Sequence, residues 1–296
     1  MTNVKNRKMA ANAALVTATI IWGSSFFIMK NTLDSIGSFY LLAVRFTIAS
    51  VLLSIVFFRK YRLINKEYIL GGIVLGAFIG SAYVVQTIGL SFTTPGKNAF
   101  LTAVYCLIVP FLYWAVTKAR PDAYNISAAV ICMVGIGLVS INPGAESMFN
   151  IGDILTLGGG FLYACHIIAV NRISPGKDII FLTILQFVSA AVMIWIIAPF
   201  VDEFPAGLST GAWASLAYLG VMCTAVALML QNVGQKYTEP STAALLLSLE
   251  SVFGVIFSII FAGEQMTFRL VLGFALIFAA LVLSEVKPGR RAGNVQ

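Results

Sequence analysis

Residues 86–99 read QTIGLSFTTPGKNA and residues 231–244 read QNVGQKYTEPSTAA. At a constant shift of 145, Gln86 falls on Gln231, Gly89 on Gly234, Thr93 on Thr238, Pro95 on Pro240 and Ala99 on Ala244. The same shift carries Pro143-Gly144 onto Pro288-Gly289 without a gap. Two apolar helices match by chance at a few positions. Chance does not place the turn signals Gly-x5-Pro and Pro-Gly at one offset. Earlier in each half the shift is about 141, which lays Arg45-Phe46 on Gln186-Phe187.

Around these paired stretches the chain is apolar nearly throughout. It has 296 residues, 59% hydrophobic and 10% charged, with mean hydropathy +0.92. An ordinary soluble domain carries about 25% charge. Lipid is therefore the expected solvent for most of the chain. Ten apolar stretches are long enough to cross a bilayer: 11–30, 38–58, 68–90, 98–117, 124–141, 152–171, 179–200, 211–234, 241–262 and 268–285. In hydrocarbon each backbone N–H and C=O needs a partner within its own segment, so such stretches are helices. The expected fold is an all-α integral membrane protein of ten transmembrane helices. It divides into a first five-helix repeat, 1–145, and a second, 146–296, ending in a short cytoplasmic tail. Five is odd, so the second repeat enters the membrane from the opposite side, as in many secondary transporters.

Orientation follows from Lys and Arg. With the N-terminus in the cytoplasm, fifteen of them face inward: Lys5, Arg7, Lys8, Arg59, Lys60, Arg62, Lys66, Lys118, Arg120, Arg172, Lys177, Lys236, Lys287, Arg290 and Arg291. Three face outward, Lys30, Lys97 and Arg269, and Arg45 lies inside a span. This asymmetry predicts a multi-pass protein of the cytoplasmic membrane with both termini inside. The basic clusters also account for the net charge of +7 without a nucleic-acid partner, since no basic face or stacking platform accompanies them. Lys5, Arg7 and Lys8 precede an apolar run too long for a signal-peptide core, so that run is read as the first span. Cys106, Cys132, Cys165 and Cys223 all fall in apolar spans without a CxxC pair, and read as packing residues.

The Trp-Gly-Ser-Ser-Phe run at 22–26, Arg45-Phe46, Glu250 in the ninth span and Gly263-Glu264 at its end resemble the EamA family of the drug/metabolite transporter superfamily. The resemblance covers about residues 10–288. It departs from the family pattern where Ser251 follows Glu250, where Tyr105 takes the matching place in the first half, and where Lys118-Ala119-Arg120 replaces a Gly-Glu ending. It implies a carrier of small metabolites and leaves the substrate open.

Ionisable groups at membrane depth are costly and become functional candidates by default. Glu250 sits near the middle of the ninth span, where a poorly hydrated carboxylate can load a proton, contact a cationic group, or hydrogen-bond a neighbouring helix. Arg45 either attracts an anion or holds the bundle together. The second reading is favoured, because the resemblance makes Arg a common feature here whatever the substrate. His166, the chain's one histidine, shares a helix face with Tyr163. It reads more readily as packing than as a relay, and it excludes an HExxH motif or a multi-His metal site. Asn98, Thr102 and Tyr105 stripe one face of the fourth span, which is expected to meet the ninth near the pseudo-twofold axis. Tyr83, Gln86 and Gln231 are further candidates, with interhelical hydrogen bonding as the alternative for each, and Trp22 completes the set. Gly72, Gly76 and Gly80 read as a close helix crossing. Gly158-Gly159-Gly160 lacks the Gly-Lys-Ser/Thr of a phosphate loop.

The reading is a secondary transporter, not an enzyme, with no cofactor. It moves an amino-acid-like or drug-like metabolite by alternating access, in the direction of export, with proton coupling through Glu250. A sugar-phosphate-type substrate, import or exchange, and a homodimer stay open. An intramembrane enzyme would need a nucleophile–base pair or metal cluster at depth, and a receptor would need larger loops.

Overall fold

The structure, a computed structural model, describes residues 2–118, 120–140, 150–237 and 240–286. Among them are twelve α-helices and no strand. They are α1 (Thr2–Leu33), α2 (Ser38–Val56), α3 (Lys66–Phe92), α4 (Pro95–Ala103), α5 (Tyr105–Thr117), α6 (Ala123–Ser140), α7 (Ile151–Ile173), α8 (Ile179–Val201), α9 (Thr210–Gly220), α10 (Ala227–Tyr237), α11 (Pro240–Ala262) and α12 (Phe268–Val286). A short 3-10 turn, Phe58–Leu63, follows α2, and a π-helical segment, Val221–Val226, joins α9 to α10.

Among the described residues, seven helical stretches are long and apolar enough to cross a membrane, counting α4–α5 and the α9–α10 rod as one each. Apolar stretches of α6, α11 and α12 among the described residues, Ala123–Val139, Leu249–Ala262 and Phe268–Leu283, add three shorter ones. Helices and apolar runs coincide to within a few residues except at α1, which starts well before residue 11. Pro143-Gly144, Thr238 and Pro288-Gly289 lie outside the described residues.

Local chemistry sets the helix starts. Asn65 accepts from Tyr68 N, Asn150 from Gly152 N, Asp178 from Phe181 N and Ser209 from Ala212 N, each satisfying an amide the helix leaves open. Thr94 caps α4, and Pro95 follows at its first position. Two expected rods are interrupted. The fourth breaks at Val104, between α4 and α5, and the eighth carries the π segment.

Packing joins the two halves of the chain. α3 lies against α7 and α8, α1 against α11 and α10, α2 against α8, α4 against α11, and α6 against α12. The glycines of α3 allow the approach to α8. A Cβ on Gly76 would sit 2.6 Å from Ser189 Cβ and 2.7 Å from Gln186 O. Gly72 faces Leu185 and Gly80 faces Met193 in the same way, so the expected close crossing is present. Large apolar side chains such as Ile55, Ile196 and Phe261 point outward, where lipid would meet them.

Polar clusters close the two ends. At one end Lys60 pairs with Asp178, and Tyr68 OH accepts from Asp178 N at 2.7 Å. At the other, Lys30 Nζ donates to Leu90 O, Ser91 O and Thr93 O, satisfying carbonyls at the end of α3. There too Asp153 takes Thr93 Oγ1 and Lys97, and Glu264 takes Thr94 Oγ1, Gly96 N and Ser258 Oγ.

Candidate functional site

A cavity of about 260 Å³ lies between helices of both halves. Trp22 comes from α1, Arg45 from α2, Tyr83 and Gln86 from α3, Tyr105 from α5, Tyr163 and His166 from α7, Gln231 from α10 and Glu250 from α11. Nine of the ten candidates thus share one wall. Its apolar part includes Phe26, Leu75, Ile79, Leu182 and Phe187.

Asn98 stands behind that wall. Its Nδ2 donates to Gln86 O at 3.3 Å and to Thr156 Oγ1 at 2.7 Å. Thr102 Oγ1 accepts from Gln86 Nε2 at 2.8 Å. The polar stripe of the fourth rod was expected to face the ninth. Instead Asn98 and Thr102 turn to α3 and α7, and α4 meets α11 through Ala99 against Gly254. The reason is local. A fully buried amide needs partners, and Gln86 and Thr156 supply them, whereas Ala99–Gly254 is small enough for close approach. Tyr105, past the break at Val104, does face the cavity with Glu250.

Gln86 organises the aromatic side. Tyr163 OH donates to Gln86 Oε1 at 2.8 Å. Tyr83 and Tyr163 meet edge to face with ring centroids 5.4 Å apart, and Tyr105 lies 6.2 Å from Tyr163. His166 Nε2 is 3.0 Å from Gln186 Oε1. Gln186, which also lines the cavity, was visible in sequence only as the partner of Arg45 in the internal alignment.

Arg45 is 1% exposed. A charged side chain at the centre of a membrane helix costs about 2.5–3.5 kcal/mol on insertion scales, and this one is kept from lipid. Its Nε donates to Thr224 Oγ1 at 2.7 Å, and its guanidinium carbon lies 4.7 Å from the Tyr83 ring centre. Glu250 is half-buried because it borders the cavity. Arg45 and Glu250 both line the cavity, yet they form no ion pair within 4.0 Å among the described residues. Opposite charges on one small cavity wall suit a molecule that carries both.

Sequence reasoning missed Thr224 as a cavity residue and Lys97 as a buried ion-pair partner. A lone Thr in an apolar helix carries no signal, and Lys97 counted only as an outward loop charge. It is buried against Asp153. Asp153 inside the apolar run Ile151–Leu157 was the available clue.

A bundle of apolar helices around a buried polar cavity defines a multi-pass membrane protein, and the comparisons make it a transporter. The EamA-like transporter family matches residues 9–141 and 150–285, and the chain belongs to that family. An uncharacterized transporter of Archaeoglobus fulgidus is 31% identical over 285 residues, covering 95% of this chain and 87% of that protein. The uncharacterized transporter YoaV of Bacillus subtilis is 22% identical, covering 94% and 97%. A crystal structure superposes with a TM-score of 0.67 at 14% identity, covering 95% of this chain and 99% of the other; this is a likeness of fold.

Proposed function

We propose that the protein is a secondary transporter that exports a small amino-acid-like or drug-like metabolite by alternating access, coupled to protons through Glu250. The observation that carries this reading is the placement of Arg45 and Glu250 on one cavity wall built by both halves of the chain. The apolar remainder of the wall suits an apolar substituent.

Ten spans in two inverted repeats, 1–145 and 146–296, are part of the proposal. The helix packing supports them. Exchanging each rod for its counterpart five further on turns α1 against the α9–α10 rod into α7 against α3. It turns α1 against α11 into α7 against α4 and α5, and returns α2–α8 and α6–α12 to themselves; all of these contacts are present. The family match, with one stretch in each half, supports the same reading.

With both termini in the cytoplasm, the cavity lining reaches Val170, Ile179 and Leu182, beside the inward connection 174–178. The Lys97–Asp153 and Glu264 clusters close the outer end.

The test is counterflow in proteoliposomes against a panel of amino acids and metabolites. Saturable exchange of a panel member, absent from empty liposomes, is the expected outcome. No exchange of any member by folded protein contradicts the reading.

A further inference from the structure

The π-helical segment Val221–Val226 widens the helix where the chain passes Arg45. π turns inside α-helices gather at functional sites, and this one does two things. Thr224 Oγ1 donates to Leu219 O, five residues back, at 2.8 Å, which leaves the oxygen's lone pairs for the Arg45 Nε proton. Cys223 O accepts from Trp22 Nε1 at 2.7 Å. Gly220 at the head of the segment lets α2 approach: a Cβ there would lie 2.7 Å from Ile48 Cβ and 3.2 Å from Arg45 O. The corresponding rod of the first half, α3, is an unbroken α-helix.

The grip on Arg45 is one-sided. A guanidinium has five N–H donors. Here Nε is held firmly, whereas among the described residues Nη1 has only Met29 Sδ at 3.6 Å and Nη2 only Tyr83 OH at 3.5 Å. The Tyr83 ring covers one face of the group and leaves its edge free. A guanidinium fixed at Nε with both Nη groups lightly committed is a fork that matches a carboxylate through two parallel hydrogen bonds. Resting on the transport reading of this cavity, we infer that Thr224 is a positioning residue. It orients Arg45 so that Nη1 and Nη2 receive a carboxylate of the transported molecule. The equivalent place in the second half is held by Gln186, bound to His166, so the receptor is single.

The test uses radiolabelled benzoate, with benzamide as the uncharged control, on the purified full chain in nanodiscs of zwitterionic lipid. Saturable benzoate binding that benzamide does not displace is expected. Thr224→Val, which keeps the shape and removes the oxygen, weakens benzoate at least tenfold, about 1.4 kcal/mol, with an unchanged melting temperature. Thr224→Ser restores binding, and Arg45→Lys, which keeps the charge but loses the fork, does not. Glu250→Gln tightens binding by removing a competing charge. If Thr224→Val melts early, the contrast between Thr224→Ser and Arg45→Lys decides. The inference is overturned if the parent does not bind benzoate, if benzamide competes equally, if Thr224→Val binds as the parent does, or if Arg45→Lys binds as well as Thr224→Ser. Metabolite counterflow with an unaltered benzoate affinity in Thr224→Val sinks the positioning role alone. Benzoate binding that follows the expected pattern without counterflow sinks the transport reading alone.

Discussion

Lys97 Nζ lies 3.5 Å from Asp153 Oδ2, with the Asp153 side chain wholly buried and that of Lys97 11% exposed. The pair joins the start of α4 to the start of α7, and Thr93 Oγ1 donates to the other carboxylate oxygen. Removing one partner from a buried pair leaves an uncompensated charge, which costs roughly 3–5 kcal/mol. Lys97→Met should therefore lower the melting temperature of purified protein strongly. Lys97→Met with Asp153→Asn should recover most of the loss, because the neutral amide still accepts from Thr93. A double variant no better than the single one would show that the charge pair is not what holds this end.

Asp178 closes the other end. Burial pushes its carboxyl up, but the hydrogen bond from Lys60 and those from the Phe181 and Ile180 amides outweigh it and hold the group below its usual range. A depressed carboxylate contributes stability that is fully present above its unfolded value, about 3.9, and is lost as pH falls through the folded one. Asp178→Asn should lower the melting temperature by a constant amount from neutral pH down to about 4.5, with a difference that shrinks below that. A difference that grows on acidification would contradict the assignment.

Glycines on neighbouring rods should respond in opposite ways. Gly76→Val drives a side chain into Ser189 and the Gln186 carbonyl and should cost on the order of 1–3 kcal/mol or more. A Cβ on Gly158 would have Val85 Cγ1 at 3.7 Å as its nearest neighbour. Gly158→Ala should be neutral or stabilise by roughly 0.5–1 kcal/mol, since alanine loses less freedom in a helix. Yields and melting temperatures of the two variants check this.

Helix positions were legible because apolar runs and the polar turns between them follow from the solvent. The run from Ser38 ends at the charges after Val56, and the run from Ile179 starts at the cap Asp178. Neighbour relations were less legible. Periodicity put Asn98, Thr102 and Tyr105 on one face, but the break at Val104 separates Tyr105 from the others, and hydrogen-bond demand turned Asn98 toward Thr156. Gln86 was named from its repeat partner, yet its role in joining Thr102 to Tyr163 needs three-dimensional adjacency. The π segment left no trace in sequence, since Val-Met-Cys-Thr-Ala-Val suits an α-helix equally well. Arg45 was read first as a bundle-holding residue. Its hold on Thr224 fits that view, whereas its lightly used Nη groups fit the other.

In the proposed function Glu250 serves transport rather than packing. Glu250→Gln keeps shape and hydrogen bonding but removes the exchangeable charge, and on the internal alignment its counterpart Tyr105 is not an acid. The decisive measurement compares parent and Glu250→Gln at equal reconstitution in proteoliposomes, following substrate exchange with and without an imposed pH gradient. The variant should still exchange substrate but no longer respond to the gradient. Exchange and pH response both matching the parent would rule out a transport role and make Glu250 a structural residue.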